Sequence, residues 1–121
     1  MPIIALDHIQ LAIPQAQEQK ARDFYSGLLG FMEVPKPEEL APRGGCWFEN
    51  GNVRVHLGVE HPFMPARKAH PGFLVDDLEQ LTRQLAAAEV EIVTDRTLIG
   101  YQRCYISDPF GNRIELMQKI A

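Results

Sequence analysis

A faint internal duplication constrains this 121-residue chain more than any other feature. The stretch from His8 to Pro14 recurs 62 residues on, from His70 to Asp76, and each copy is followed by a helix-like segment. The ends of the halves also match. Cys46 to Leu57, with its Gly51-Asn52 turn, lies over Cys104 to Leu116, with Gly111-Asn112, and one residue is inserted in the second copy. Each copy of such a supersecondary unit needs a neighbour to bury its apolar face. Two copies of this length are too few for a solenoid. The expectation is therefore one α+β domain made of two βαβββ modules, about 3–59 and 70–118, joined by a linker at about 60–69, with a curved mixed sheet around a cleft.

Periodicity places the elements. Residues 3–13 alternate, with Ile9, Leu11 and Ile13 on one face and His8, Gln10 and Ala12 on the other, as in a half-buried strand. Ala21, Phe24, Tyr25 and Leu28 form an apolar helix stripe, which Gly30 is suited to end. The spacing predicts strands over 31–34, 46–50 and 53–59. Residues 35–45 hold so many prolines and glycines that they predict a loop. The second half repeats the order: a strand over 70–75, a helix capped by Asp76 or Asp77 with Leu78, Leu81, Leu85 and Ala88 on its apolar stripe, then strands over 91–93, 102–107 and 113–118.

Composition narrows the partners. A hydrophobic fraction of 45% supplies an ordinary core, and a net charge of −4 from interspersed residues leaves no basic stripe for nucleic acid. No apolar run reaches the roughly 18 residues of a membrane span, and the first residues lack the pattern of an export signal. These features predict a cytoplasmic protein with a small-molecule partner, no nucleic acid and no membrane, whose two cysteines stay reduced.

The chemistry lies in the repeat. His8 stands opposite His70 and His56 opposite Glu115, and strand parity turns all four away from the most apolar stripe. Three imidazoles and one carboxylate suit Zn²⁺, Ni²⁺, Mn²⁺ or Fe²⁺, because borderline cations take nitrogen and oxygen together. His61, between Glu60 and Pro62 in the linker, is expected to be solvated. If Cys46, Phe48, Cys104 and Ile106 face the helices, parity also puts Trp47, Arg103 and Tyr105 on the ligand side, with Arg54 and Arg113 near its rim. Aromatic walls with arginines suit a planar or anionic small molecule.

The segments Leu6 to Ile13, Ala21 to Phe31, Phe73 to Leu78 and Asp108 to Leu116 resemble the vicinal oxygen chelate superfamily of glyoxalases, bleomycin-resistance proteins and extradiol dioxygenases. The resemblance implies metal ligands at His8, His56, His70 and Glu115, and a homodimer whose modules pair within or between chains. It further implies metal-stabilised enediolate or oxyanion chemistry, with Glu115 as general base, in a lyase, isomerase or transferase of the glyoxalase type. A ring-cleaving dioxygenase and a drug-binding protein without chemistry are the alternatives. The chain differs from glutathione-type glyoxalases, which typically have a glutamate where His56 stands and an arginine soon after the first-strand histidine.

Overall fold

The computed structural model describes residues 2–95 and 97–120. The chain forms two compact units, Met1–Met64 and Pro65–Ala121, and each is described by itself. Both have the order β-α-β-β-β, so the architecture is α+β with two four-stranded mixed sheets.

In the first unit, alternating side chains build β1 (Ile9–Ile13), β3 (Cys46–Asn50) and β4 (Val53–Val59), with the short β2 (Met32–Val34) at one edge. The sheet order is β1-β4-β3-β2: β1 runs parallel to β4, while β3 is antiparallel to both its neighbours. One helix, α1 (Glu18–Tyr25), turns Ala21, Phe24 and Tyr25 inward. They pack with Leu11, Ile13, Cys46, Phe48, Val55 and Leu57, and Tyr25 stacks on Phe48 at 5.6 Å. Each large apolar side chain so removed from water contributes roughly 1.5–3 kcal/mol. The predicted loop holds a 3-10 helix over Glu38–Arg43 that contains Pro42. That short, tight helix tolerates a proline near its end, where no further turn needs its N–H. The segment then closes on Gly45, at φ +80°, where a Cβ would stand 2.0 Å from the Leu57 carbonyl oxygen. Glycine is required there.

The second unit repeats the plan with β5 (Gly72–Leu74), α2 (Leu78–Ala87), β6 (Val93–Asp95), β7 (Tyr101–Ser107) and β8 (Arg113–Lys119), in the order β5-β8-β7-β6. Asp77 caps α2 by accepting from the Gln80 N–H. Leu78 and Leu85 are buried on Cys104, Ile106, Ile114 and Leu116, whereas Ala88 is exposed at the helix end. β5 begins two residues after His70 rather than on it, because its ladder with β8 starts at Gly72 opposite Glu115. β6 lies two residues later than predicted, set by the pairing of Val93 with Tyr105. Ladder register decides both boundaries, and periodicity does not report it.

The turn before β8 is a buried polar knot. Asp108 Oδ1 accepts from the N–H groups of Phe110 and Asn112, and its Oδ2 accepts from Asn112 Nδ2, each at 2.9 Å. Asn112 Oδ1 then accepts from the Ala66 N–H, and Arg113 N–H donates to the Ala66 carbonyl. This fixes the backbone from which Arg113 and Glu115 project.

Candidate functional site

The polar face of the first sheet carries a column of three rings. Trp47 pairs laterally with His56 across β3 and β4, and their rings stack at 3.9 Å with planes 2° apart. His8, just before β1, lies on the other side of His56 at 4.1 Å and 20°. His56 is buried, and both burial and the neighbouring His8 hold its pKa below the ordinary imidazole value. It therefore stays neutral with a lone pair. His8 Nδ1 donates to Asp7 Oδ2 at 2.9 Å, and Asp7 Oδ1 accepts from Arg54 at 2.9 Å. The His8 hydrogen bond is the main reason why the Asp7 pKa is lowered, helped by Arg54. Arg54 is thus at the exposed rim, engaged with Asp7.

The second unit gathers a charged cluster on the corresponding face. His70 Nδ1 donates to the Lys68 carbonyl at 2.8 Å, and His70 Nε2 lies 3.1 Å from Glu115 Oε1. The other carboxylate oxygen, Oε2, accepts from Arg103 at 3.0 Å. Arg103 also donates to Tyr105 Oη, Asp95 Oδ2 and Thr97 Oγ1. The hydrogen bond to Glu115, followed by the charge of Asp95, raises its pKa further. Tyr105 meets His70 edge to face at 5.4 Å and carries the Arg113 guanidinium over its ring at 4.0 Å.

The expected residues fall in two groups, His8, Trp47 and His56 with Arg54 in one unit and His70, Arg103, Tyr105 and Glu115 in the other; strand parity places all but His8 and His70, which stand just before β1 and β5. Asp95 and Thr97, which hold Arg103, were not foreseen. Arg113 was placed only at the rim. A lone Asp or Thr beside a strand gives no sequence signal, because a cross-strand partner is invisible without the register.

The donor set can be tested against a divalent cation. A carbonyl oxygen only accepts, so His70 Nδ1 carries the proton, and a neutral His70 turns its Nε2 lone pair toward the Glu115 carboxylate. Two lone pairs at that separation need a cation or a proton between them. Two ligands at about 2.1 Å from one zinc-like ion stand roughly 3.0–3.4 Å apart, which the 3.1 Å spacing matches. The pair fits. The anchoring of His70 by Lys68 and of Glu115 by Arg103 is also what orients metal ligands from behind. His8 and His56 fit less directly, because nearly parallel rings keep their in-plane lone pairs from converging. His8 must rotate out of the stack before the two can share an ion. Accordingly, among the described residues no group of three or more His, Cys, Asp or Glu side chains is arranged to hold a metal.

A family model described as Glyoxalase/Bleomycin resistance protein/Dioxygenase superfamily matches residues 5–116. Among solved structures, a protein assigned to the glyoxalase family from Bacillus anthracis is 46% identical, with a TM-score of 0.94 over 98% of this chain and 97% of that one. Lactoylglutathione lyase from Agrobacterium tumefaciens is 22% identical, with a TM-score of 0.76 over 98% and 96%. TnmS3, an antibiotic binding protein from Streptomyces sp. CB03234, is also 22% identical, with a TM-score of 0.75 over 99% of each chain. At that identity the last two share the fold alone. The comparison with curated proteins finds no match. Among the described residues no helix is long and apolar enough to cross a membrane.

Proposed function

The chain belongs to the Glyoxalase/Bleomycin resistance protein/Dioxygenase superfamily, and from that premise we propose that it is a divalent-metal-dependent enzyme of the glyoxalase type, acting on a small oxygen-chelating substrate in the cytoplasm. The observation that carries this reading is the His70–Glu115 pair, whose facing donors have ligand spacing. His70 and Glu115 would hold the ion. The identity of the donors suits Zn²⁺, Ni²⁺, Mn²⁺ or Fe²⁺. When bound, such an ion supplies Lewis acidity toward vicinal oxygens and stabilises enediolate or oxyanion charge.

The protein's own groups do the rest. Glu115, once displaced from the ion, is the general base: Arg103 holds its Oε2, so Oε1 is the atom that would take the substrate proton. Tyr105, edge to face with His70, gives a flat wall beside the pair. The free, buried thiols of Cys46 and Cys104 suit a reducing compartment. A homodimer completes the reading: on the single chain Ile3, Ile4 and Leu6 are 83%, 93% and 79% exposed, an apolar segment that association would cover.

Elemental analysis of the untagged protein, beside His8→Ala, His56→Ala, His70→Ala and Glu115→Ala, tests the reading. About one transition metal per chain, lost in the His70 and Glu115 variants, is expected, followed by turnover in screens of α-oxoaldehydes, thiol transfers and catechols; cleavage of catechols alone would mark a dioxygenase. No metal under saturating supply sinks it. The Trp47–His56–His8 column favours a second reading, a platform for an aromatic ligand held without chemistry. A metal-stripped protein that binds planar aromatics and loses them on Trp47→Ala would support that one.

A further inference from the structure

Two arginines were expected to bind substrate, and both are engaged. Arg54 pairs with Asp7. Arg103 spends Nη1 on Tyr105 and Glu115 and Nη2 on Asp95 and Thr97, and its Nε is buried. Arg103 thus has no free pair of parallel N–H groups for a carboxylate, and the charge of Arg54 is already met by Asp7 and Glu49.

Arg113 is different. It projects from β8 on the same face as Glu115, two residues away, and is only partly buried. Among the described residues it makes no ion pair; the acid nearest along its own strand face, Glu115, is held by His70 and Arg103. Its guanidinium lies 4.0 Å over the Tyr105 ring. A guanidinium held over a ring is attracted through its charge and does not spend its N–H donors there. The support beneath is rigid. Tyr105 Oη is held by Arg103, its ring touches His70, and the Arg113 N–H is bonded to the Ala66 carbonyl at 2.8 Å. Arg43 and Arg67 also lack ion pairs among the described residues, but they are exposed and carry no such support.

We propose that Arg113 seats a carboxylate of the substrate, so that the molecule delivered to the His70–Glu115 pair is a small oxo or hydroxy acid rather than a neutral compound. This rests on the reading that the face carrying His70 and Glu115 is the reacting face. Tyr105 sets the distance: it touches both the carboxylate seat and the His70 ring, so a molecule of a few carbons reaches from one to the other.

The test is calorimetric titration of the protein, metal-loaded and metal-stripped, with pyruvate and with its neutral isostere pyruvamide. Wild type should bind pyruvate at least about ten-fold more tightly, the worth of one charge-assisted contact. Arg113→Met should abolish the preference, Arg113→Lys should keep part of it, and Arg83→Met, on the exposed side of α2, should leave it unchanged. Because the preference should persist without metal, a failure of the metal reading leaves it intact. Equal binding of the two compounds, no binding of pyruvate, or an unaltered preference in a folded Arg113→Met protein overturns the proposal.

Discussion

Asp108 and Asn112 hold each other in the turn before β8: the Asp108 carboxylate accepts from the Asn112 backbone N–H and side-chain amide, the Asp108 N–H donates to the Asn112 carbonyl, and both side chains are buried. Asp108→Ala strands three donors that this carboxylate now satisfies. Each buried orphan costs about 1–3 kcal/mol, and partial relaxation reduces the sum. The expected loss is about 3–4 kcal/mol in urea unfolding. A loss below about 0.5 kcal/mol, the usual range for surface changes, would mean that water replaces the carboxylate freely.

The chain has one tryptophan, and it reports on His56. A protonated imidazole quenches indole emission, and burial holds the His56 pKa below the ordinary imidazole value of about 6.5. In the metal-stripped protein, Trp47 fluorescence should therefore fall with a midpoint below pH 6.5, and the fall should vanish in His56→Gln. The sign for stability follows. The unfolded chain takes up the proton first, so the contribution of a neutral His56 is complete above the unfolded value. It is lost as pH falls through the folded one. A quenching midpoint above the ordinary imidazole value would contradict the burial argument.

Burial pushes the Cys46 thiol up to about 11 and also raises that of Cys104. Thiolate is the reactive form. At pH 8 both cysteines should resist a disulfide reagent in the native protein, and both should react once it is unfolded. Rapid native labelling of either would show that its strand opens readily.

Gly45 and Gly51 both have positive φ, but a Cβ at Gly45 would strike the Leu57 carbonyl at 2.0 Å, whereas nothing lies within 4 Å of one at Gly51. Gly51→Ala should cost about 1 kcal/mol, the backbone term alone. Gly45→Ala should cost about 3 kcal/mol or more, since β4 must move as well. Equal melting temperatures for the two variants would refute the steric account.

The residues that alternation could assign were legible. Strand parity put His56 on one face with Trp47, and Glu115 on one face with Arg103 and Tyr105, because side-chain period is a property of the chain alone. What lay beyond it was lateral. Nothing in the string of letters says that Arg103 is used up on Glu115 and Asp95, that Arg113 lies on Tyr105, or that His8 rests flat on His56. Those facts depend on register and rotamer. The same gap moved the start of β5 from His70 to Gly72. Parity accordingly marks Arg103 as a substrate contact, whereas both its terminal nitrogens are engaged within the protein.

The Arg103–Glu115 pair also has a thermodynamic side. Their side chains are 15% and 10% exposed, and withdrawing two ions from water offsets most of their attraction. Changing both to apolar residues of similar volume is therefore expected to be neutral or to raise the melting temperature, while changing one alone strands the other charge. The fold would be at ease without this pair. Because either single change strands a charge, the pair can be lost only by two changes at once, so its presence in a chain does not by itself report a gain in durability.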